Sequence, residues 1–171
     1  MICPLCGYSR NLPGADWCDW CQFDLAAVDR PAAADRVEHS LMTEPVSALR
    51  PREPVTVPAS ADLGQAIRQM IARKVGAVLV TDPDGRLVGI LTERDFLTKV
   101  AGANGFTADP VAAFMTRHPE TVTADDPLAY ALGKMAGGGY RHLPVVAGGK
   151  PVGVISVRDI LRHIVQLCRD G

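Results

Sequence analysis

Two long stretches of this 171-residue chain repeat each other at a spacing of about 65 residues. The segment PVTVPASADLGQAIRQM, which starts at Pro54, matches PETVTADDPLAYALGKM, which starts at Pro119. Further along, VGILTERDFL from Val88 matches VGVISVRDIL from Val152. A duplication constrains the fold more than any short motif, because both copies must adopt the same supersecondary unit. We therefore expect two copies of one unit.

A helix is predicted in each copy by apolar residues at positions i, i+3, i+4 and i+7, which share one helix face. These stripes consist of Leu63, Ala66, Ile67 and Met70 in the first copy, and of Leu128, Ala131, Leu132 and Met135 in the second. Ser60 and Asp125 are expected at the N-cap positions, with Pro127 just inside the second helix.

Strands are predicted on both sides of this helix. A short β-rich piece precedes it, at residues 55–57 and 121–122. Two strands follow it, GAVLVT and RLVGIL joined by Asp-Pro-Asp-Gly, and HLPVV and PVGVI joined by Gly-Gly. A last helix is expected to begin at Glu93 or Val157. The predicted unit is β-α-β-β-α, twice, and the predicted fold class is α/β.

Composition limits the class of protein. Hydrophobic residues make up 47% of the chain and aromatic residues only 5%, so aliphatic side chains must fill the core, as in an α/β domain. We expect a cytoplasmic protein that is not bound to a membrane, because no apolar run reaches the roughly 18 residues of a membrane span. The formal net charge of −1 argues against a strong binder of the nucleic-acid backbone.

Four cysteines lie in two pairs near the N-terminus, Cys3-x-x-Cys6 and Cys18-x-x-Cys21. Two turns of this kind supply the tetrahedral sulfur set that Zn²⁺ takes in structural sites. Disulfides are disfavoured by the absence of a secretory signal, whereas four sulfurs also suit iron. The segment resembles the short zinc ribbons appended to many regulatory proteins. We interpret it as a ribbon with structural zinc, because four protein ligands leave no position for a catalytic water.

The aromatic residues Trp17, Trp20 and Phe23 surround the second cysteine pair. They could stack on bases, but residues 1–30 carry two arginines against four aspartates, and a net negative module repels phosphate. The counted charges are Arg10, Arg30, Asp16, Asp19, Asp24 and Asp29. We therefore expect these rings to cover the metal site or to meet a protein partner, in preference to a nucleic acid.

A polar motif recurs where the last strand of each copy meets the last helix, as Thr92-x-x-Asp95 and Ser156-x-x-Asp159. A hydroxyl followed three residues later by an acid is a capping-box pattern, which stabilises a helix with or without a ligand. Arg94 lies in the first helical turn, as does its counterpart Arg158. A cation there opposes the helix dipole, and an anion bound at the helix N-terminus would remove that penalty.

From residue 41 to residue 168 the chain resembles the cystathionine β-synthase (CBS) domain family, whose tandem pair is called a Bateman module. The resemblance is carried by MTEPV and MTRHP before the first strands, by RHLPVV, and by the VGILTERD and VGVISVRD corners. It implies a regulatory protein that binds an adenosine nucleotide (AMP, ADP or ATP) between the repeats. It also implies a homodimer formed through the repeats.

The resemblance implies a role for each site residue. The acids Asp95 and Asp159 would bind the ribose hydroxyls, and Thr92 and Ser156 would contact ribose or the first phosphate. The adenine would lie against backbone at Thr56, Ala77, Thr121, His142 and Pro144. The phosphates would meet Arg94, Arg141, His142 and Arg158, since arginine forks match phosphate oxygens.

Two departures from the repeat predict that the two sites are unequal. The first copy has Gly76 and Ala77 where the second has Arg141 and His142, so half of the basic lining is absent there. The first copy is also expected to carry a longer segment before its first strand, because VSALRPRE follows MTEP. We expect one strong and one weak or empty nucleotide site.

An enzyme is not expected, because the four histidines form no metal pair at helical spacing and accompany no catalytic motif. The expected organisation is a zinc ribbon at residues 1–27, a linker at 28–40, the first repeat at 41–105 and the second at 106–171. The alternative function is a ligand-free scaffold or adaptor whose ribbon docks a protein or nucleic-acid partner.

Overall fold

The computed structural model describes residues 3, 5–11, 15–23, 25, 35–100 and 105–169. Asp24 and residues 28–34 of the predicted linker lie outside the described residues. The chain divides into two compact units, Met1–Arg36 and Val37–Gly171, which are treated separately below. Among the described residues, none of the helices has the length and apolar character needed to cross a membrane.

The larger unit alternates helices and strands as the repeat predicts. The helices are α1 (Arg36–Thr43), α2 (Leu63–Arg73), α3 (Glu93–Asp95), α4 (Leu128–Gly138) and α5 (Val157–Arg169), with 3₁₀ turns at Val46–Leu49, Phe106–Ala108 and Val111–Ala113. The strands are β1 (Thr56–Pro58), β2 (Ala77–Thr81), β3 (Leu87–Thr92), β4 (Thr116–Arg117), β5 (His142–Ala147) and β6 (Lys150–Ser156). Helix α3 continues as a π-helical segment, Phe96–Val100.

The strands form two small sheets. The first has the order β1-β2-β3-β4, in which β1 and β2 are parallel and the other neighbours are antiparallel. The second contains the antiparallel pair β5 and β6. The predicted first strand of the second copy is reduced to a single parallel bridge between Val122 and Val145. The α/β class and the two repeats are therefore confirmed, with this strand shorter than expected.

The apolar stripes of α2 and α4 face the cores, as the periodicity predicts. Their buried residues include Leu63, Ala66 and Met70 in α2, and Leu128, Ala131 and Met135 in α4. The predicted N-caps are wrong. The N-cap of α2 is Asp62, whose carboxylate accepts a hydrogen bond from the backbone N–H of Gln65 at 2.6 Å, and not Ser60. Pro127 itself takes the N-cap position of α4, and Asp125 lies two residues before it.

The segment that precedes each repeat packs on the other repeat. We call residues 41–55 and 106–120 the lead-in segments. Val46 of the first is fully buried in the core of the second repeat, with Leu128 and Ile155. Val111 of the second is fully buried in the core of the first repeat, with Leu63 and Leu91. The two repeats therefore exchange their lead-in segments.

Isolated backbone bridges show that the two lead-in segments have equal length. Pro45 pairs with Pro127, and Pro110 pairs with Asp62, so equivalent residues are 65 positions apart in both strands of both bridges. The expectation of a longer lead-in segment in the first copy is wrong, because that expectation aligned MTEP, which ends at Pro45, with MTRHP, which ends at Pro119. The structural equivalent of Pro45 is Pro110, eight residues before His118.

A second set of contacts joins helix α1 and the start of the first lead-in segment to the second repeat. The Ser40 hydroxyl lies 2.8 Å from Nε2 of His163 on α5, and Ser40 is buried. A carboxylate oxygen of Glu44 lies 3.5 Å from the same nitrogen. Helix α1 is thus joined to α5 by polar contacts and by the packing of Leu41 in the same core.

Glycine in the repeated Val-Gly pair permits this exchange. A Cβ atom on Gly89 would lie 2.3 Å from the Met115 sulfur, and one on Gly153 would lie 2.7 Å from Cβ of Pro51. Both contacts are shorter than side-chain atoms tolerate. Each glycine therefore provides the space in which the opposite lead-in segment crosses the sheet.

Candidate functional site

The two repeated corners are both closed by their own acid. In the second repeat, Oδ2 of Asp159 accepts hydrogen bonds from the backbone N–H of Ser156 at 2.8 Å and from its hydroxyl at 2.6 Å. In the first repeat, Oδ2 of Asp95 accepts the same two bonds from Thr92, at 2.9 Å and 2.7 Å. The reciprocal Thr92–Asp95 capping box is present. The capping role predicted for these pairs is confirmed.

Each acid also meets a cation about one helical turn later. Arg162 donates from Nη1 to Oδ1 of Asp159 at 3.1 Å. The Lys99 ammonium lies 2.7 Å from Oδ1 of Asp95. Burial raises the pKa of Asp95, but the Lys99 ammonium and the two Thr92 donors outweigh burial and hold the pKa below its usual value. Both corner carboxylates therefore have partners on both oxygens.

A large cavity of about 1040 Å³ opens beside the second corner. Its floor is apolar and includes Ile67, Met70 and Phe96. Its polar lining comes from both repeats and consists of Arg52, Glu53, Lys74, Glu93, Arg141, His142, Ser156, Arg158, Asp159 and Arg162. Five of these side chains carry a positive charge and three are acidic, so the cavity favours an anionic ligand with an apolar part.

His142 in this cavity is uncharged at neutral pH. Burial lowers its pKa below the ordinary value, and the positive charges of Arg141 and Arg158 lower it further, against the opposing effect of Glu93 and Asp159. The family resemblance assigns His142 to the basic residues that contact phosphate. In the ligand-free protein it offers a ring N–H donor instead of a charge.

A small cavity of about 210 Å³ lies beside the first corner. Its lining includes Thr92, Arg94 and Asp95 from that corner and Pro119 and Glu120 from the second lead-in segment. The Arg94 guanidinium donates to the backbone carbonyl of Gly139 at 3.2 Å, across the cavity. This corner is consequently narrow, and its own arginine is already engaged.

The two cavities share a wall made of Gly76, Glu93, Arg141 and His142. The wall is tightly packed, since a Cβ on Gly76 would lie 3.3 Å from both the Glu93 carboxylate and the His142 ring. A group that moves in this wall changes the lining of both cavities.

The structure brings together most of the predicted nucleotide residues. Ala77, Arg141, His142, Ser156, Arg158 and Asp159 line the large cavity. Thr92, Arg94, Asp95, Arg141 and His142 line the small cavity. Thr56, Thr121 and Pro144 line neither of these two cavities. Thr56 pairs with Leu79, the Thr121 carbonyl accepts from Lys134 at 2.9 Å, and the Pro144 carbonyl accepts from Val122 at 3.0 Å.

Sequence reasoning missed five charged residues of the large cavity, which are Arg52, Glu53, Lys74, Glu93 and Arg162. Arg52 belongs to the first lead-in segment, which reaches the second corner because the lead-in segments are exchanged. The 65-residue spacing pairs Arg52 with Arg117, which lines neither of these two cavities, so the repeat gives no signal for Arg52.

In the smaller unit, the four cysteines form one cluster. The sulfurs of Cys3, Cys6, Cys18 and Cys21 all lie within 4.8 Å of one another. Cys3 and Cys21 are 3.6 Å apart, and Cys6 and Cys18 are 3.7 Å apart, too far for disulfides. A tetrahedron with metal–sulfur distances of about 2.3 Å has sulfur–sulfur edges of about 3.8 Å. The cluster thus has the size of a four-sulfur metal site.

Two similar turns build this cluster. The N–H of Gly7 donates to the Cys3 carbonyl at 2.9 Å, and the N–H of Gln22 donates to the Cys18 carbonyl at the same distance. Gly7 has a φ of 74°, a conformation that glycine adopts without strain. The ligand spacing predicted from the sequence is reproduced in both turns.

The thiols of the cluster ionise unequally. Burial raises the pKa of Cys18, but the backbone N–H groups of Cys21 and Trp20 and the adjacent thiols lower it to about 6. Burial and the neighbouring thiols raise the pKa of Cys21 to about 12. Several thiolates in so small a space repel one another, and a divalent cation at their centre would offset that repulsion.

Comparison with known proteins relates the larger unit to one family. The family model described as "CBS domain" matches residues 38–102 and 111–166, which contain both repeats and both corners. A CBS domain-containing protein of Arabidopsis thaliana is 41% identical over 117 residues, 68% of this chain. The match covers 21% of that protein, so the chain spans about a fifth of its length.

Two solved structures have the same fold. A CBS-domain-containing protein from Agrobacterium tumefaciens is 34% identical, with a TM-score of 0.64 over 71% of this chain and 93% of its own. A CBS domain protein from Pyrobaculum aerophilum, whose structure is a complex with AMP, is 31% identical, with a TM-score of 0.63 over 71% of this chain and 98% of its own.

Proposed function

This chain belongs to the CBS-domain family, and from that premise we propose that it is a regulatory protein that binds an adenosine nucleotide in the large cavity. AMP, ADP and ATP are the candidate ligands. In this proposal the ligand acts by binding and not by reaction.

One observation carries the proposal: the large cavity places the Asp159 carboxylate beside Arg141 and Arg158, against an apolar floor. A carboxylate can accept both ribose hydroxyl protons, and guanidinium groups pair with phosphate oxygens. The apolar floor suits the base. The Pyrobaculum aerophilum protein, which has this fold, is complexed with AMP.

A thermal-shift screen of the full chain with AMP, ADP, ATP and adenosine tests the proposal. A ligand that binds only the native state raises stability by RT ln(1 + [L]/Kd), so the bound nucleotide raises Tm in a dose-dependent way. GMP serves as the matched control for the base. Unchanged Tm with every adenosine compound at millimolar concentration contradicts the proposal and favours the ligand-free scaffold.

We further propose that Cys3, Cys6, Cys18 and Cys21 hold a structural Zn²⁺. The separations of 3.6 and 3.7 Å and the common 4.8 Å limit support this assignment. Zinc would supply the folding free energy of a unit too short to bury a core of its own. Metal analysis of protein purified without added metal is expected to find one zinc per chain. Finding iron, or four free thiols without metal, contradicts it.

The ribbon serves as an interaction arm in this proposal. Trp17 is 57% exposed and Trp20 is 75% exposed, and exposed tryptophans are enriched at protein interfaces. Trp20 stacks on Tyr8 with ring centroids 6.2 Å apart, which fixes its orientation. A protein partner fits better than a nucleic acid, because the neighbouring Asp16 and Asp19 repel phosphate.

A homodimer formed through the repeats completes the proposal. Ile71 and Leu97 are 72% and 73% exposed at the rim of the large cavity, and a second copy would remove this apolar surface from water. Light scattering on the full chain is expected to give twice the chain mass. An Ile71→Asp variant should be monomeric. A wild-type monomer at micromolar concentration contradicts the proposal.

A further inference from the structure

Arg162 holds the corner acid of the large cavity in the ligand-free protein. Its Nη1 donates to Oδ1 of Asp159 at 3.1 Å, while Oδ2 of the same carboxylate accepts two bonds from Ser156. The Asp159 side chain is only 14% exposed, whereas that of Arg162 is 64% exposed. The carboxylate is fixed, and the arginine is the partner that is free to move.

A ribose must compete with this arginine. The two acceptor positions of Oδ2 are used by the Ser156 N–H and hydroxyl, so Oδ1 is where a ligand hydroxyl finds the carboxylate. Arg162 already occupies Oδ1. Binding two ribose hydroxyls therefore means displacing the guanidinium from its charged hydrogen bond.

Only a phosphorylated ligand gives the displaced guanidinium a new anion. Arg162 lines the same cavity as Arg158 and Arg141, so a phosphate there lies within the region that its long side chain covers. A nucleotide exchanges one ion pair for another, with the phosphate replacing Asp159. A nucleoside breaks the ion pair and leaves Arg162 without an anionic partner.

The corresponding cation of the first repeat is held more firmly. Lys99 lies 2.7 Å from Asp95 and also donates to the Phe114 carbonyl at 2.7 Å. The lysine does not contribute to the lining of the small cavity. Lys99 therefore links Asp95 to the second lead-in segment. The replacement of one anionic partner by another, which is open to Arg162, is specific to the second repeat.

We propose that Arg162 is a specificity-determining residue that makes the large cavity select phosphorylated nucleotides over unphosphorylated nucleosides. It acts by covering Asp159 until a ligand supplies a phosphate. This role rests on the proposed function of the cavity, and it assigns Arg162 a task distinct from that of Arg141 and Arg158, which have no hydrogen bond to Asp159 among the described contacts.

Calorimetric titration of the full chain with AMP and with adenosine tests the role. Arg162→Met keeps the length and helix propensity of the side chain without its charge. We expect tighter adenosine binding and weaker AMP binding in this variant, so that the preference for AMP falls by about tenfold or more. Arg162→Lys is expected to restore part of the preference. Lys99→Met is the matched control and should leave the preference unchanged.

Several outcomes decide against the role. Equal weakening of both ligands by Arg162→Met shows a purely structural residue, and equal strengthening shows a simple competitor. An unchanged preference, in a variant whose thermal melt is intact, overturns the role while the proposed function stands. If the wild type binds neither AMP nor adenosine, the proposed function fails, and the role of Arg162 fails with it.

Discussion

The two cavities are built by one repeated motif, yet one has about 1040 Å³ and the other about 210 Å³. The large cavity is bordered by Val75, Gly76 and Ala77, and the small one by Tyr140, Arg141 and His142, which occupy equivalent positions 65 residues later. Of these six residues, Val75 and Ala77 line only the large cavity and Tyr140 lines only the small one. The sequence comparison treated Gly76 and Ala77 as lost basic residues, whereas in the structure Arg141 and His142 of the second repeat line both cavities.

The positive charge of the second repeat is shared between the two cavities. Arg141 lines both cavities. The large cavity therefore has this arginine of the second repeat in its lining, and so does the small cavity. The corner motif therefore does not determine a site by itself. The opposite repeat and the opposite lead-in segment decide what the corner can hold.

The largest expected effect separates the two corner acids. Asp159→Asn should weaken AMP binding by roughly 100-fold or more, because two hydrogen bonds to a charged carboxylate are each worth about 1.5–3 kcal/mol. Asp95→Asn, the same change in the small cavity, should alter AMP affinity by less than about threefold. Calorimetric titration measures both. Equal losses in the two variants would show that the cavities are equivalent.

The next effect concerns the shared arginine. Arg141→Ala should weaken AMP binding by about 10- to 100-fold, because a charged contact to phosphate is lost, and should leave adenosine binding nearly unchanged. Arg94→Ala is the control, since Arg94 lines the small cavity and donates to Gly139. Titration with both ligands distinguishes the two variants. Full-strength AMP binding by Arg141→Ala contradicts the proposed phosphate contact.

A third prediction compares how the lead-in segments cross the two sheets. Gly153→Ala should reduce the free energy of unfolding by about 1–3 kcal/mol, because its Cβ meets the rigid Pro51 ring at 2.7 Å. Gly89→Ala should cost less, because the nearest atom is the flexible Met115 side chain at 2.3 Å. Urea denaturation measures both values. The reverse order would mean that the second lead-in segment is the more rigid one.

The smallest expected effect is a pH dependence of the large cavity. His142 has a lowered pKa when no ligand is present, and an adjacent phosphate would raise it. AMP affinity should therefore rise several-fold as pH falls from about 8 to about 6. Phosphate itself titrates near 6, so the informative quantity is the ratio of wild-type to His142→Gln affinity at each pH. A constant ratio would exclude His142 from the phosphate contact.

The same lowered pKa has the opposite consequence for stability. The unfolded chain binds a proton at the ordinary histidine pKa, 6.5, whereas folded His142 resists it. The ligand-free protein should therefore lose stability as pH falls below about 6.5, and His142→Gln should reduce that loss. Melting curves with and without AMP separate the effect on folding from the effect on binding.

The local rules of the fold were readable from the sequence because they depend on neighbours in the chain. The stripes of α2 and α4, the Thr92–Asp95 and Ser156–Asp159 pairs and the spacing of the cysteines were all predicted. The N-caps were misplaced by two residues. Ser60 and Asp125 are good capping residues by type, and residue type alone does not say at which residue each helix begins.

The cavities were not readable, because they depend on contacts between distant segments. Nothing local to Arg52 indicates that it reaches the corner of Asp159, and nothing local to Gly76 indicates that it faces His142. Correct alignment of Pro45 with Pro110 would have shown that the two lead-in segments have equal length. The exchange of lead-in segments, by contrast, needs the three-dimensional pairing with Pro127 and Asp62.

Because the lead-in segments are exchanged, each repeat needs residues of the other to complete its core. Neither repeat can therefore be removed or replaced alone. Removal of the residues before about residue 50 would take Val46 out of the core of the second repeat, while the core of the first repeat would keep all its residues. The polypeptide that leaves the ribbon first joins the second repeat, through Ser40 and Glu44 at His163, on the helix that begins beside Asp159 and Arg162. Helix α1 therefore packs on the second repeat, although the first repeat follows it in the sequence.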